Sequence, residues 1–238
     1  MKNLSDTSLR ALMQDGFISF VDPANVEPAS IDIPLGRRGW VMRTPVVPAK
    51  DRHESFEKTI KRFAMATIDL ADGYLVPPRT TVLIETPMII GPPEGHFLGA
   101  SAKSTTGRVD VLARTIFESS PRYDRGDYVE GSLDRVFVEI TPLTFPIIIK
   151  PGVKLTQVRV CEITNAAPVR SETLHIDLSG PAAGYRARRC APPISFGAYE
   201  THRQDLFFEP VAADDNEMIL DVDSFYILRT AESILMQN

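Results

Sequence analysis

The sequence predicts a mainly β protein with a short helix at its entrance. Three observations carry that reading. Nineteen prolines are scattered through 238 residues, and helix interiors reject proline because its ring removes a donor and clashes with the preceding turn. Between the prolines lie short runs rich in β-branched residues, of strand length and composition: TVLIE (81–85), RVFVEIT (135–141), TFPIIIK (144–150) and KLTQVRVCEI (154–163). Turn chemistry separates them, in PPRT (77–80), TPLT (141–144) and KPG (150–152).

Taken in order, the first element is the helix. Ser5 is placed to cap it, Leu9, Leu12 and Met13 form a stripe at helical spacing, and Gly16 stops it. A weaker helical pattern covers about 53–65 (HESFEKTIKRFAM). In RVFVEIT, Val136, Val138 and Ile140 share one face and Phe137, Glu139 and Thr141 the other.

The formal charge of -5 argues against a protein that coats nucleic acid, though a local basic pocket for a small anion is compatible with it. The only two cysteines, Cys161 and Cys190, form no CxxC pair and no metal-ligand spacing with histidine, so a reducing cytoplasm is expected. The N-terminus has no apolar signal core, and runs such as FPIII (145–149) are too short to span a bilayer. These features predict a soluble cytoplasmic protein with no membrane partner.

An internal repeat organises the chain. ASIDIPLGRRGWVMR (29–43) and LHIDLSGPAAGYRAR (174–188) share an Ile-Asp pair and then Gly-aromatic-x-x-Arg, so that Asp32/Asp177, Gly39/Gly184, Trp40/Tyr185 and Arg43/Arg188 all lie 145 positions apart. YLVPPRTTVLIET (74–86) aligns with MILDVDSFYILRT (218–230) at an offset of 144. Such a duplication predicts one unit at 1–168 and a partial second unit at 169–238, which stops before any counterpart of residues 103–108.

Two segments carry candidate chemistry. In AKSTTGRVDV (102–111), a lysine, three hydroxyls, a glycine and an arginine fall within six positions. Hydroxyls and amides bind phosphate oxygens, glycine admits close approach, and the cations neutralise charge. No glycine precedes Lys103, so this is not a Walker loop; the alternative is a polar turn between strands. Glu139 stands in mid-strand among apolar residues. Buried there it would suit general-base work; the alternative is a glutamate on the solvent face. PRYDRGDYVEG (121–131) reads as a charged loop in which Arg122, Asp124 and Arg125 either contact a ligand or are solvated. The four histidines are isolated, and the zinc deaminase signature H-x-E with P-C-x-x-C is absent.

In order and spacing, these segments resemble the dCTP deaminases of the dUTPase-like superfamily, especially the bacterial form with two tandem units. LSDTSLRALMQDGFI (4–18) is similar to the family's opening helix. EPASIDIPLG (27–36) is close to its segment Q-P-A-S-x-D-L-x-L-G. AKSTTGRVDV resembles its phosphate and substrate motif, RVFVEIT carries a glutamate where the family has its catalytic one, and KLTQVRV (154–160) matches the closing strand.

The resemblance implies a distorted β-barrel or jelly roll and a zinc-independent deamination of dCTP. Glu139 would be the base, Ser104 would position water or the exocyclic amine, and Arg108 would stabilise charge. Lys103 and Thr105 would hold the phosphates, with Mg²⁺ carried by the triphosphate. Arg122 matches an arginine preceding the family's Ile-Asp, here Tyr-Asp, and Asp124 joins the substrate-binding set. The same family places its site between units and suggests a homo-oligomer, a trimer before a dimer. A dUTPase, a bifunctional deaminase/diphosphatase and a catalytically weak nucleotide-binding remnant are the alternatives. The partial second unit further predicts that the segment 205–238 packs on the first unit or a neighbour.

Overall fold

The computed structural model describes residues 2–49, 54–163, 173–198, 202–215 and 217–232. Its first helix, α1 (Asp6–Gln14), begins where the Ser5 side chain accepts a hydrogen bond from the Ser8 amide and ends at Gly16, which takes φ +82°. Leu9 is its buried anchor. Short strands β1 (Ile18–Ser19) and β2 (Val26–Glu27) lead into β3 (Ser30–Pro34) and β4 (Arg38–Met42).

The second helix, α2, is shorter than its pattern predicts and runs Phe56–Phe63. Ser55 caps it by accepting from the Lys58 amide, and Ala64 turns to extended geometry and opens β5 (Ala64–Asp69). The extra expected residue His53 lies outside the described residues. β6 (Tyr74–Val76), β7 (Val82–Ile90) and β8 (His96–Ala102) follow, then a single helical turn α3 (Ser104–Gly107). After it come β9 (Val111–Phe117), β10 (Arg125–Asp127), β11 (Asp134–Pro142), β12 (Ile147–Ile149) and β13 (Lys154–Glu162).

The strand TVLIE therefore extends to Ile90 and carries Pro87 within it. The ladder with β11 shifts register there: Arg135 pairs with Ile89, but Phe137 with Glu85. A bulge is where a strand tolerates a residue without a donor. By contrast, TFPIIIK shrinks to its three isoleucines.

The chain divides into two units, Met1–Asn165 with Pro193–Gly197, and the remainder. In the first, one sheet runs β5-β4-β7-β11-β9 with β1 also on β7, and another runs β10-β8-β13-β3-β2. A third joins β6, β12 and β15 (Ile194–Ser195). Ile31, Ile33, Leu98, Val158, Val136, Val138 and Ile140 are buried. The opposite face of β11 is also covered, because Phe137 joins Trp40, Met42, Val46, Phe56, Ile60, Leu83 and Ile116 in one apolar cluster under α2. Phe56 meets the Phe137 ring edge-on at 5.2 Å between centroids.

The second unit contains the sheet β16-β14-β17, made of β14 (Gly184–Ala187), β16 (Phe208–Val211) and β17 (Tyr226–Leu228). Its ladders repeat those of β5-β4-β7. Gly39 pairs with Ile84 and Trp40 with Leu83; Gly184 pairs with Leu228 and Tyr185 with Ile227. Single backbone bonds repeat as well. Met42 donates to the Thr81 carbonyl and Arg43 to that of Phe63, as Ala187 donates to Phe225 and Arg188 to Phe207. Both glycines are needed for the same reason: a Cβ on Gly39 would press on the Leu83 carbonyl at 2.9 Å, and one on Gly184 would overlap that of Ile227. The segment FYILRT thus pairs inside its own unit through β17. No helix among the described residues is long and apolar enough to cross a membrane.

Candidate active site

Glu139 lies at the centre of β11, paired in register with Leu83 of β7 on one side and Arg114 of β9 on the other. Its neighbour on the same face, Phe137, belongs to the apolar cluster under α2, and Glu139 continues that face at 4 % exposure. The solvent-face alternative is therefore overturned: the helix and the segment after β4 cover a strand face that alternation alone would leave open. Oε2 of Glu139 accepts a hydrogen bond from the Val46 amide at 3.2 Å and another from the Tyr123 hydroxyl at 3.1 Å. Burial pushes the Glu139 carboxyl above its ordinary pKa, against the opposing pull of the two donated bonds and of the Arg114 charge.

The turn that delivers Tyr123 is held by Asp124. This residue takes the left-handed φ of +58°, its Oδ1 accepts from the Thr115 amide at 2.8 Å, and its own amide donates to the Thr115 carbonyl at 2.8 Å. Asp124 is thus committed to shaping the turn, and burial raises its pKa too. Arg122 is exposed and tied to Asp127, which also accepts from Arg125 Nε at 2.8 Å. Arg122 is thus held in an ion pair, and Asp124 Oδ1 is engaged by a backbone amide.

The segment 103–108 is built differently. α3 is one turn long, with Lys103 at its N-cap position, so the stretch between the two strands is a helical turn. The Thr106 side chain is buried and anchors the turn by donating to the Leu155 carbonyl at 2.9 Å. Lys103 Nζ pairs with Asp32 Oδ2, whose side chain is 3 % exposed against 27 % for the lysine. Among the described residues, Asp32 Oδ1 is buried without a hydrogen-bond partner. Ser104, Thr105 and Arg108 are exposed, and their side chains make no hydrogen bond or ion pair with the described residues. A braced cation beside three unengaged polar groups suits an anionic ligand.

The structure thus gathers the predicted residues into two groups. One holds Glu139 with Tyr123, Val46 and Arg114; the other holds Lys103, Ser104, Thr105 and Arg108 with Asp32. No hydrogen bond or ion pair among the described residues joins them. Sequence reasoning missed Val46, because a backbone amide leaves no signature. It also missed Tyr123 as a partner of Glu139, although its place beside the singled-out Asp124 was a weak signal.

Two family models match the chain. The 2'-deoxycytidine 5'-triphosphate deaminase (DCD) N-terminal domain matches residues 2–164, and the C-terminal domain of the same enzyme matches 154–238. The chain belongs to the dCTP deaminase family. A solved structure of 2'-deoxycytidine 5'-triphosphate deaminase from Agrobacterium tumefaciens superimposes with a TM-score of 0.87 at 25 % identity, covering 98 % of this chain and 75 % of that one. No curated protein sequence matches the chain. The mainly β, dUTPase-like fold is therefore that of a dCTP deaminase, and membership of the family makes the chain a deaminase of the hydrolase class.

Proposed function

We propose that this family member deaminates dCTP hydrolytically to dUTP and ammonia, without zinc, with Glu139 as general base. The observation that carries the reading is the buried Glu139, fixed by two donors, at the strand position that resembles the family's catalytic glutamate. A carboxylate with a raised pKa accepts a proton more readily than an ordinary one. In the proposed step, Glu139 takes a proton from water as the hydroxyl oxygen bonds to C4 of cytosine. The proton passes to the exocyclic amine, the C4–N bond breaks, and ammonia leaves with dUTP as the other product. Ser104 positions the water or the amine, and Arg108 balances charge developing near the base. Lys103 and Thr105 hold the triphosphate, which brings its own Mg²⁺.

The two residue groups are proposed to meet between copies of the chain in a homo-oligomer, a trimer before a dimer, a reading supported by the lack of any hydrogen bond or ion pair between them among the described residues. Incubation with dCTP and Mg²⁺, with products separated, tests the activity: dUTP is expected, and dUMP would instead show a diphosphatase. Turnover should survive removal of zinc by chelation once Mg²⁺ is restored. Glu139→Gln should abolish turnover and keep nucleotide binding; near-normal turnover would reject the base. Mixing Glu139→Gln with Ser104→Ala protein, each inactive alone, should restore part of the activity. No recovery after subunit exchange would place both groups in one chain's own site.

A further inference from the structure

We propose that Tyr123 is a positioning residue for Glu139: with the Val46 amide it holds Oε2, which leaves Oε1 as the oxygen that takes the proton from water. This rests on Glu139 as the base. The geometry separates the two carboxylate oxygens. Both donors, Tyr123 at 3.1 Å and Val46 at 3.2 Å, bond the same oxygen. Oε1 accepts no hydrogen bond from the described residues. A carboxylate fixed through one oxygen presents the other in a single orientation, and that is what a general base needs within hydrogen-bond reach of its water.

Tyr123 is itself immobilised. Its backbone bridges to Ile116, and the neighbouring Asp124 is bonded twice to Thr115. The Tyr123 ring packs against the cluster that contains Phe137, and the Arg114 guanidinium lies 5.0 Å from the ring centroid. Burial and the adjacent Glu139 push the Tyr123 hydroxyl far above its ordinary pKa, so it stays protonated and acts only as a donor. Among the described residues, the charged or titratable groups acting on Glu139 include Arg114 from β9 and Tyr123 and Asp124 from the turn; the segment after β4 offers the Val46 amide.

Removing the Tyr123 hydroxyl deletes a bond that favours the ionised carboxylate, so Glu139 should hold its proton to higher pH. The test is the pH profile of kcat/KM for dCTP. In Tyr123→Phe the acid limb should move up by about half a unit to one unit, with kcat falling and KM little changed. Replacing Tyr123 by 3-fluorotyrosine keeps the shape and strengthens the donor, so the limb should move down instead. A purely structural Tyr123 would lower the melting temperature and leave both limbs in place. Unchanged limbs in both proteins, with Glu139→Gln inactive, would overturn this inference alone. An active Glu139→Gln would overturn the base on which it rests.

Discussion

Lys103→Met should cost this protein far more stability than Asp32→Asn, although both break the same ion pair. The reason is the unequal burial of the partners. Asp32 is buried, with a side chain 3 % exposed, and its Oδ1 already lacks a hydrogen-bond partner among the described residues. Taking away Lys103 leaves both oxygens of a buried charge without a bond. Removing one member of a buried pair costs about 3–5 kcal/mol; the 27 % exposure of the lysine lets water reach its place, so the lower end applies, about 3 kcal/mol. Asp32→Asn leaves instead an ammonium that can swing toward solvent, at a cost of about 1 kcal/mol. The double variant should return close to Asp32→Asn, because its buried group is no longer charged. For a chain of this size, about 3 kcal/mol corresponds to a fall of about 6–12 °C in melting temperature. The only tryptophan, Trp40, is buried in the first unit, so its fluorescence during heating follows the relevant unit. A Lys103→Met protein that melts within a degree of Asp32→Asn would refute the reasoning, since it would show that Asp32 is solvated or otherwise compensated.

Three further outcomes are expected. Glu139→Gln should melt a few degrees higher than the wild type at neutral pH. A carboxyl whose folded pKa is raised binds its proton more tightly folded than unfolded, so the wild type loses stability as pH rises from the ordinary carboxylate value through the raised one; the gain should vanish in acid, and a pH-independent difference would contradict it. Ser55→Ala removes the cap of α2 and should cost about 1 kcal/mol, read as an earlier Trp40 transition, because Phe56 and Ile60 of that helix pack on the same cluster. Gly184→Ala places a methyl on the Ile227 carbonyl oxygen and should sharply increase proteolysis of the second unit; wild-type resistance would mean that the β14–β17 ladder is not as close as described.

Much of the fold is legible in the chain itself, for local reasons. The Ser5 cap and the Gly16 stop delimit α1 because capping is decided within one turn. The glycines and aromatics repeated at 145 positions foretell two matching ladders, since a cross-strand carbonyl leaves room only for glycine. Boundaries were less legible. His53–Met65 scans as one helix, but Ser55 opens it and the pairing of Met42 with Ala64 closes it, and pairing is not a local property.

The site divides along the same line. Sequence alone selected Glu139 and the run Lys103 to Arg108, because residue type and motif order suffice to nominate chemistry. Only the tertiary structure decided that Glu139 is buried, since a strand shows its alternation but not what covers each face, and here α2 and the segment at Val46 cover the second one. The partners of Glu139 lie 93 and 16 positions away, and that of Lys103 lies 71 away. Hydrogen bonds are short and directional, so which donors reach a carboxylate is settled by how the sheets bring distant segments together, and no spacing along the chain records it.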